Sequence, residues 1–346
     1  MLGARIGAGG ADPAGCKHGR SALGAGMSDL GGVAADGAVV ALDVGGSRIK
    51  AAVITADGRR LVERRYRTGR ADGPAAVLRR VADAAAEVAA EARETEGRET
   101  ADGRAGTAIL ACGVGTCGTV DLDGRVTSVN IGWERARLGD VVGDRLGLPV
   151  AVLNDVRAGA IGEGGFGAAR GESDYVYVAL GTGVGAAIIT GGRVLPGAHG
   201  HAGELGHIGV RQPGRRCACG ARGCLETLMS VVGLEARWLE EHGSPLPTRQ
   251  IIDRVLDREP SATALWEESV SALADGLLTM MSLVDPAAIV LGGGLSSAGP
   301  RLIEPLAAGL RAGARPFHPT PDLRLATLGD WSACAGAAIA ARDLIA

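Results

Sequence analysis

The sequence predicts an α/β protein built from two related halves that face a cleft. Three apolar runs, at residues 38–42, 174–180 and 288–291, have the length and composition of buried strands. Each run is followed within a few residues by a cluster of glycines, which permits a tight turn beyond the strand. Segments with the apolar spacing of helices separate these strands. Because this pattern recurs in both halves of the chain, we expect the glycine turns to point into a shared cleft.

Strands dominate the predicted first half. Apolar runs and turn residues predict strand or hairpin segments at residues 38–46, 49–55, 61–68, 107–114, 120–126 and 150–153. Pro74 suits the first turn of a helix of about twenty residues, and a second helix is expected after residue 154. In the second half we predict strands at 174–180, 186–190 and 288–291, with helices at 232–241 and 266–284.

Composition limits the class of protein and of partner. The chain has 346 residues, 46% hydrophobic and 22% charged, which suits about two soluble globular domains. A net charge of −3 gives no electrostatic basis for binding nucleic acid or an anionic membrane, and no apolar stretch has the length of a membrane span. Seven cysteines without a disulfide spacing indicate a reducing, cytoplasmic compartment. Residues 1–37 lack a secretory apolar region, and we expect a disordered tail there.

A cluster of metal-ligand residue types forms the most specific motif: His207, Cys217, Cys219 and Cys224. A Cys3His set suits tetrahedral Zn²⁺, and three thiolates favour zinc over magnesium or calcium. The loop is rich in Gly, Pro and Arg, so a structural zinc ion would supply folding free energy that its small apolar surface does not. The alternative is a set of thiols that binds no metal. Glu204 and Glu226 flank the cluster, so a metal there would fix the positions of two carboxylates.

Two glycine turns combine backbone N–H groups with a hydroxyl, as phosphate-binding turns do. They are Asp43-Val44-Gly45-Gly46-Ser47 and Gly181-Thr182-Gly183, although either alone could be purely structural. No G-x4-G-K-[ST] sequence occurs, which excludes a Walker-type NTPase. The G-x-G-x-x-G match at 113–118 precedes a hairpin, not the helix that a dinucleotide site requires. Asn154-Asp155 follows a strand and opens a helix, where an acidic residue is either a helix cap or a functional group.

Taken in order, these motifs resemble the ROK family (repressor, open reading frame, kinase) of bacterial sugar kinases, over roughly residues 38–346. The resemblance is carried by DVGGSRIK at 43–50, Leu153-Asn154-Asp155, LGTG at 180–183, Glu204-x-x-His207 and the cysteine motif that ends at Glu226. It implies two ribonuclease-H-like α/β domains of the hexokinase–actin type with an interdomain cleft. The implied domains are a small one at 38–158, joined by a C-terminal helix at 330–346, and a large one at 159–329 that carries the zinc loop. It also implies a homodimer or homotetramer.

The resemblance further implies a role for each motif residue. Asp155 is the implied base that takes the proton from the attacking hydroxyl of the sugar. The implied ligands of the sugar are Gly118, Asn130, Asn154, Asp155, Glu204, His207 and Glu226. The implied contacts to ATP with Mg²⁺ are Asp43, Gly46, Ser47, Thr182, Gly183, Gly293 and Gly294. His207 would place one ring nitrogen on zinc and the other toward the sugar.

Three departures from the family pattern bear on function. Ser47-Arg48 replaces the usual Thr-Lys, Arg157 stands where an Asn is common, and Cys117 replaces a proline beside the sugar. The resemblance implies an ATP-dependent hexose kinase acting on O6, with glucose as the first choice. An amino sugar such as kanosamine, or a C7 cyclitol, is the alternative substrate, and a sugar sensor without turnover is a third hypothesis. Residues 1–37 show no helical apolar period, so no DNA-binding domain is expected.

Overall fold

A computed structural model describes residues 37–99, 107–317 and 319–346 of the chain. The elements of the first half are β1 (Gly37–Val44), β2 (Arg48–Ile54), β3 (Arg60–Arg67), α1 (Pro74–Glu99), β4 (Ala108–Thr116), β5 (Thr119–Val120), β6 (Val126–Ser128), β7 (Trp133–Ala136), α2 (Leu138–Leu146), β8 (Val150–Asn154) and α3 (Asp155–Phe166). Those of the second half are β9 (Tyr175–Leu180), β10 (Val184–Thr190), β11 (Arg193–Val194), α4 (Val231–His242), α5 (Thr248–Leu256), α6 (Pro260–Val284), β12 (Ala288–Gly292), α7 (Pro300–Gly313), β13 (Asp322–Leu325) and α8 (Ser332–Asp343).

The two halves repeat one sheet topology. In the first sheet, β1, β2 and β3 form an antiparallel meander, and β4 and β8 extend it in parallel, giving the order β3-β2-β1-β4-β8. In the second sheet, β9, β10 and β11 form the meander, and β12 and β13 extend it, giving β11-β10-β9-β12-β13. This repeat confirms the prediction of an α/β protein with two related halves.

Every predicted strand and helix is present, but several elements were missed. They are α2, α5 and α7 and the short strands β7, β11 and β13. Pro305 lies inside α7 and argues against a helix, yet Leu302, Leu306 and Leu310 form a buried stripe that packs on the second core. Tertiary burial therefore overrides a local helix breaker. Among the described residues, no helix is both long and apolar enough to cross a membrane.

The predicted tail at 1–37 lies outside the described residues except for its last residue. Gly37 is the first residue of β1, and its carbonyl oxygen accepts a hydrogen bond from Arg342 Nη2 at 2.7 Å. Gly37 therefore belongs to the first sheet and not to the tail.

Helices cover both faces of both sheets. Apolar faces of α1 and α2 pack on one face of the first sheet, and those of α4 to α7 pack on one face of the second. The remaining faces meet two central helices: α8 packs on Val39, Ala41 and Ala111 of the first sheet, and α3 packs through Ala160 on the second. The pair α3 and α8 thus lies between the two sheets and joins them.

Glycines allow α3 and α8 to cross with their backbones in contact. A Cβ atom at Gly162 would lie 2.2 Å from the carbonyl oxygen of Ser332, and one at Gly336 would lie 1.7 Å from that of Ala158. Beside the crossing, the fully buried carboxylate of Glu163 accepts hydrogen bonds from Leu328 N at 3.0 Å and Ser332 Oγ at 2.7 Å. These contacts fix the start of α8 against α3.

The continuity of α3 also bears on the domain boundary. A boundary between residues 158 and 159 would cut a helix that runs unbroken from Asp155 to Phe166. We propose that the boundary follows α3, with α8 added to the first domain because it packs on the first sheet.

The crossing predicts unequal effects of alanine at two glycines about one turn apart on α3. Gly162→Ala should lower the melting temperature by about 2–6 °C, because the new methyl group meets backbone atoms that cannot move independently. Gly165→Ala is the matched control: its Cβ would meet only the end of the Ile339 side chain, at 2.4 Å, which can rotate away. Thermal unfolding of both variants and the wild type checks this, and equal melting temperatures for the two variants would contradict it.

Candidate active site

A cleft of about 710 Å³ opens at the carboxyl ends of β1, β8 and β9. The predicted sugar and nucleotide contacts that line it are Asp43, Gly46, Ser47, Gly118, Asn130, Asn154, Asp155, Thr182, Gly183, Glu204, His207 and Glu226. Gly293 and Gly294 differ, since they follow β12 and are not part of this lining. A Cβ atom at Gly293 would lie 2.4 Å from the carbonyl oxygen of Leu180, so Gly293 packs against the start of the turn at 181–183.

The two glycine turns expose polar groups to the cleft. Each is closed by its own backbone: Gly45 N donates to Arg48 O at 2.9 Å, and Gly181 N donates to Gly183 O at 3.0 Å. The hydroxyl-bearing residues Ser47 and Thr182 are exposed. Two exposed hydroxyls on glycine turns that line one cleft suit a ligand with several phosphate groups.

Lys50 is a cleft residue that sequence reasoning did not assign. Its Nζ lies 2.9 Å from Asp43 Oδ2 and donates to the carbonyl oxygen of Asp330 at 2.7 Å. Burial alone would lower the pKa of Lys50, but attraction to Asp43 outweighs it and raises the pKa, so the ammonium stays charged. A signal was available in the sequence: Lys17 and Lys50 are the only lysines in a chain with 36 lysine and arginine residues.

Asn154, and not Asp155, caps α3. Asn154 Oδ1 accepts from Val156 N at 3.0 Å and Arg157 N at 3.2 Å, while its Nδ2 donates to Gly118 O and to Asp155 Oδ1, both at 3.0 Å. The cap alternative for Asp155 is therefore wrong, because its neighbour fills that role.

The carboxyl group of Asp155 is suited to accept a proton. Its Oδ1 accepts from Asn154 Nδ2 and from Val156 N at 2.9 Å, and no other described residue donates to its Oδ2. Burial, followed by repulsion from Asp43, raises the pKa of Asp155 to about 7. A carboxylate with a pKa near neutrality and one free oxygen has the properties of a general base.

The four predicted zinc ligands converge on one point. The Sγ atoms of Cys219 and Cys224 lie 3.7 Å apart, Cys217 Sγ lies 3.7 Å from His207 Nδ1, and all four ligand atoms lie within 4.8 Å of one another. Sulfurs bound to zinc at about 2.3 Å lie about 3.8 Å apart in a tetrahedron. The donor set and its spacing therefore fit Zn²⁺.

His207 faces both the cysteine cluster and the cleft. Its Nδ1 lies on the side of Cys217, and its Nε2 lies 4.0 Å from Glu204 Oε2. With Nδ1 toward a metal, the ring would be oriented so that Nε2 and Glu204 present adjacent polar groups to a ligand.

Glu226 connects the cysteine loop to the second glycine turn. Its Oε2 accepts a hydrogen bond from Val184 N at 3.0 Å, directly after Gly183. A Cβ atom at Gly183 would lie 2.3 Å from the same oxygen, so only glycine leaves room for this contact. Glu226 is one of the implied sugar ligands, and it thus also holds the turn at 181–183, which contains implied contacts to ATP.

Gly118 and Asn130 close the cleft from the first half. Gly118 has a φ of 106°, and a Cβ atom there would lie 2.3 Å from Thr127 O, so the turn requires glycine. Asn130 is exposed, and its Cβ lies 3.6 Å from the position of a Cβ at Gly46. The turn between β6 and β7 therefore places Asn130 beside the first glycine turn.

The family model for ROK proteins matches residues 39–344. The chain belongs to the ROK family. A solved ROK hexokinase from Thermus thermophilus is 32% identical, with a TM-score of 0.74, over 89% of this chain and 99% of that one. This likeness identifies the repeated sheets as the two-domain fold of the hexokinase–actin type.

Two further ROK relatives are named as glucokinases. One from Halalkalibacterium halodurans is 31% identical over 310 residues, which cover 84% of this chain and 91% of that protein. A ROK family glucokinase from Streptomyces griseus, solved in complex with glucose and AMPPNP, is 31% identical with a TM-score of 0.74, over 88% of this chain and 99% of that one.

The cysteine cluster predicts about one zinc ion per chain, measured by metal analysis of the purified protein. Cys219→Ser should weaken zinc binding by more than about 100-fold, because changes outside the ligand shell already cost 10–100-fold. Its melting temperature should fall, since the metal stabilises the loop.

Cys16→Ser, outside the described residues, controls for the loss of one thiol. A folded wild-type protein without zinc, or a Cys219→Ser variant that retains a full zinc ion, would contradict this prediction.

Proposed function

We propose that the chain is an ATP-dependent hexose kinase that phosphorylates the primary hydroxyl of glucose. The observation that carries the proposal is Asp155, a carboxyl group with a pKa of about 7 and a free oxygen, in the cleft that also contains Glu204, Glu226 and the two glycine turns. Membership of the ROK family and similarity to proteins named as glucokinases support the same activity.

Phosphoryl transfer requires placement of two substrates and neutralisation of charge more than covalent catalysis. ATP would supply the phosphoryl group. The groups suited to hold it, together with Mg²⁺, are Asp43, Ser47, Thr182 and the backbone N–H groups of the two turns. Asp155 Oδ2 would accept the proton of the sugar hydroxyl as that oxygen bonds to the γ-phosphorus of ATP, the bond from this phosphorus to the bridging oxygen breaks, and ADP leaves.

The sugar would be bound by groups that match hydroxyls. Carboxylates of Glu204 and Glu226 accept hydrogen bonds, His207 Nε2 lies beside Glu204, and Asn154 holds Asp155 in place. Because Glu226 also accepts from Val184 N, sugar bound by this carboxylate would stabilise the turn at 181–183 as well. Sugar and nucleotide binding would then favour each other.

Asp155→Asn should lower kcat by about 10²–10⁴-fold, because the amide keeps the size of the carboxylate but does not accept the proton. Binding of the sugar, measured by calorimetry, should change little. In the wild type, kcat/KM should fall about tenfold per pH unit below about pH 7, because a protonated Asp155 has lost its basicity.

Asp144→Asn, on the exposed side of α2, is the control for the amide substitution. An Asp155→Asn variant with near-normal turnover, or a wild-type profile that is flat from pH 5 to 8, would refute the assignment of the base.

A panel of acceptors tests the substrate: glucose, mannose, N-acetylmannosamine, kanosamine and a cyclitol, each with ATP in an assay for ADP. Glucose should give the highest kcat/KM, because each unpaired buried hydroxyl partner costs about 1–3 kcal/mol in a mismatched acceptor. If kanosamine or the cyclitol exceeds glucose by tenfold, the glucokinase assignment is wrong while the kinase assignment stands. ADP release with none of them would favour a sugar sensor.

A further inference from the structure

Arg157 is a buried cation in the wall of the cleft. It lies in the first turn of α3, two residues after Asp155, and only 4% of its surface is exposed. Burying a guanidinium group is unfavourable unless its donors are paired. No carboxylate of the described residues lies within ion-pair distance of it. Its hydrogen-bond partners are backbone carbonyl groups.

One edge of the guanidinium group holds the loop at 196–202. Arg157 Nη2 donates to Gly200 O at 2.8 Å and to Pro196 O at 3.2 Å, and it lies 3.5 Å from Ala202 O. The loop leads directly to Glu204. A single side chain therefore ties the loop that ends at Glu204 to the helical turn that begins at Asp155.

The loop needs such a tie because its backbone is glycine-rich. Gly197, Gly200 and Gly203 all have a positive φ, between 73° and 98°, and glycine loses more conformational freedom on ordering than other residues. Its own backbone contributes few bonds, among them Ala202 N to Pro196 O at 3.1 Å, and Gly203 O accepts from Ala186 N at 2.8 Å. Fixing several carbonyl groups at once stabilises one conformation of this loop.

The other edge of the guanidinium group is unsatisfied. Arg157 Nη1 is buried and, among the described residues, has no hydrogen-bond partner. Burial lowers the pKa of Arg157, and Glu204 is close enough for its charge to oppose that fall. Because Arg157 belongs to the lining of the cleft, its positive charge disfavours a ligand that brings a second cation.

We infer that Arg157 is a positioning and specificity-determining residue: it orders the loop at 196–202 so that Glu204 faces the sugar, and its charge selects neutral hexoses over sugars with a free amine. The inference rests on the proposed function and deepens it. It also changes the charge balance at the sugar end of the cleft, because the positive charge of Arg157 offsets one of the negative charges of Glu204 and Glu226.

Three substitutions separate the two roles of the side chain. Arg157→Lys keeps the charge, but its side chain is shorter and does not place a donor where Nη2 bonds Gly200 O and Pro196 O. Arg157→Gln removes the charge and keeps an amide donor, and Arg157→Met removes both. Arg170→Gln, at an exposed arginine just beyond α3, is the control for an arginine lost from the surface.

The test measures kcat and KM for glucose and for glucosamine at one pH where the amine is protonated. The ratio of the two kcat/KM values cancels the ionisation of Asp155. Arg157→Lys should raise KM for glucose about tenfold with kcat nearly unchanged, and it should leave the glucosamine-to-glucose ratio at the wild-type value. Arg157→Gln and Arg157→Met should raise that ratio about tenfold. Hydrogen exchange of the amides at 197–203 should be faster in the Lys and Met variants, with about one zinc ion per chain retained.

The outcomes distinguish this inference from the proposed function. One outcome is that the wild type phosphorylates glucose and that the wild type and the Lys, Gln and Met variants all give the same glucosamine-to-glucose ratio of kcat/KM. This outcome would overturn the inference and leave the kinase assignment intact. If the wild type phosphorylates no sugar, the proposed function fails, and calorimetric binding of glucose and glucosamine still tests the selection. If the Gln and Met variants do not fold, an unchanged glucose KM and unchanged loop exchange in Arg157→Lys would overturn the positioning role.

Discussion

The active site depends on how closely α3 and α8 cross. The two helices touch through backbone atoms at Gly162 and Gly336, where any Cβ would overlap a carbonyl group. One helix packs on each sheet, so this contact sets where the first sheet lies relative to the second. The first turn of α3 carries Asp155 and Arg157, and the loop before α8 supplies the carbonyl of Asp330 that accepts from Lys50. A displacement at the crossing would therefore move three groups together: Asp155, Arg157 with its bonds to the loop at 196–202, and the carbonyl of Asp330 that accepts from Lys50.

Local patterns predicted most of the fold, and the family resemblance named many residues that line the cleft. Neither predicted the contacts between segments that are distant in the sequence. The glycine turns and the cysteine spacing are short-range signals: the two turns line one cleft, and the cysteines form one cluster with His207, which also lines that cleft. The role of Lys50 depends on Asp330, 280 residues away, and that of Arg157 depends on the loop near Gly200. Likewise, α7 forms despite Pro305 because its leucines are buried against the second core. Such effects arise from tertiary packing, which a periodicity within one segment does not record.

The cysteine loop links two parts of the site that local sequence would treat as separate. His207 belongs to the candidate zinc cluster and lies beside Glu204, while Glu226 follows Cys224 by two residues and accepts from Val184 N. With zinc bound, the same loop would hold both carboxylates of the proposed sugar site and the turn at 181–183. A metal far from the reacting atoms would then act on catalysis through geometry alone, by limiting the movement of these groups.

Electrostatics connect the proposed base, Asp155, to the first glycine turn. Burial and the charge of Asp43 raise the pKa of Asp155, whereas the charge of Lys50 opposes that rise. Lys50 in turn is held between Asp43 and the carbonyl of Asp330, at 2.9 and 2.7 Å. A compact ammonium group fits between a carboxylate and a carbonyl oxygen, where the planar fork of arginine would need more room. Apart from histidines, every other cationic side chain among the described residues is an arginine. The space between the carboxylate and the carbonyl accounts for a lysine at position 50. The proton affinity of Asp155 therefore depends on the position of the segment that leads into α8. The crossing of α3 and α8 fixes that position.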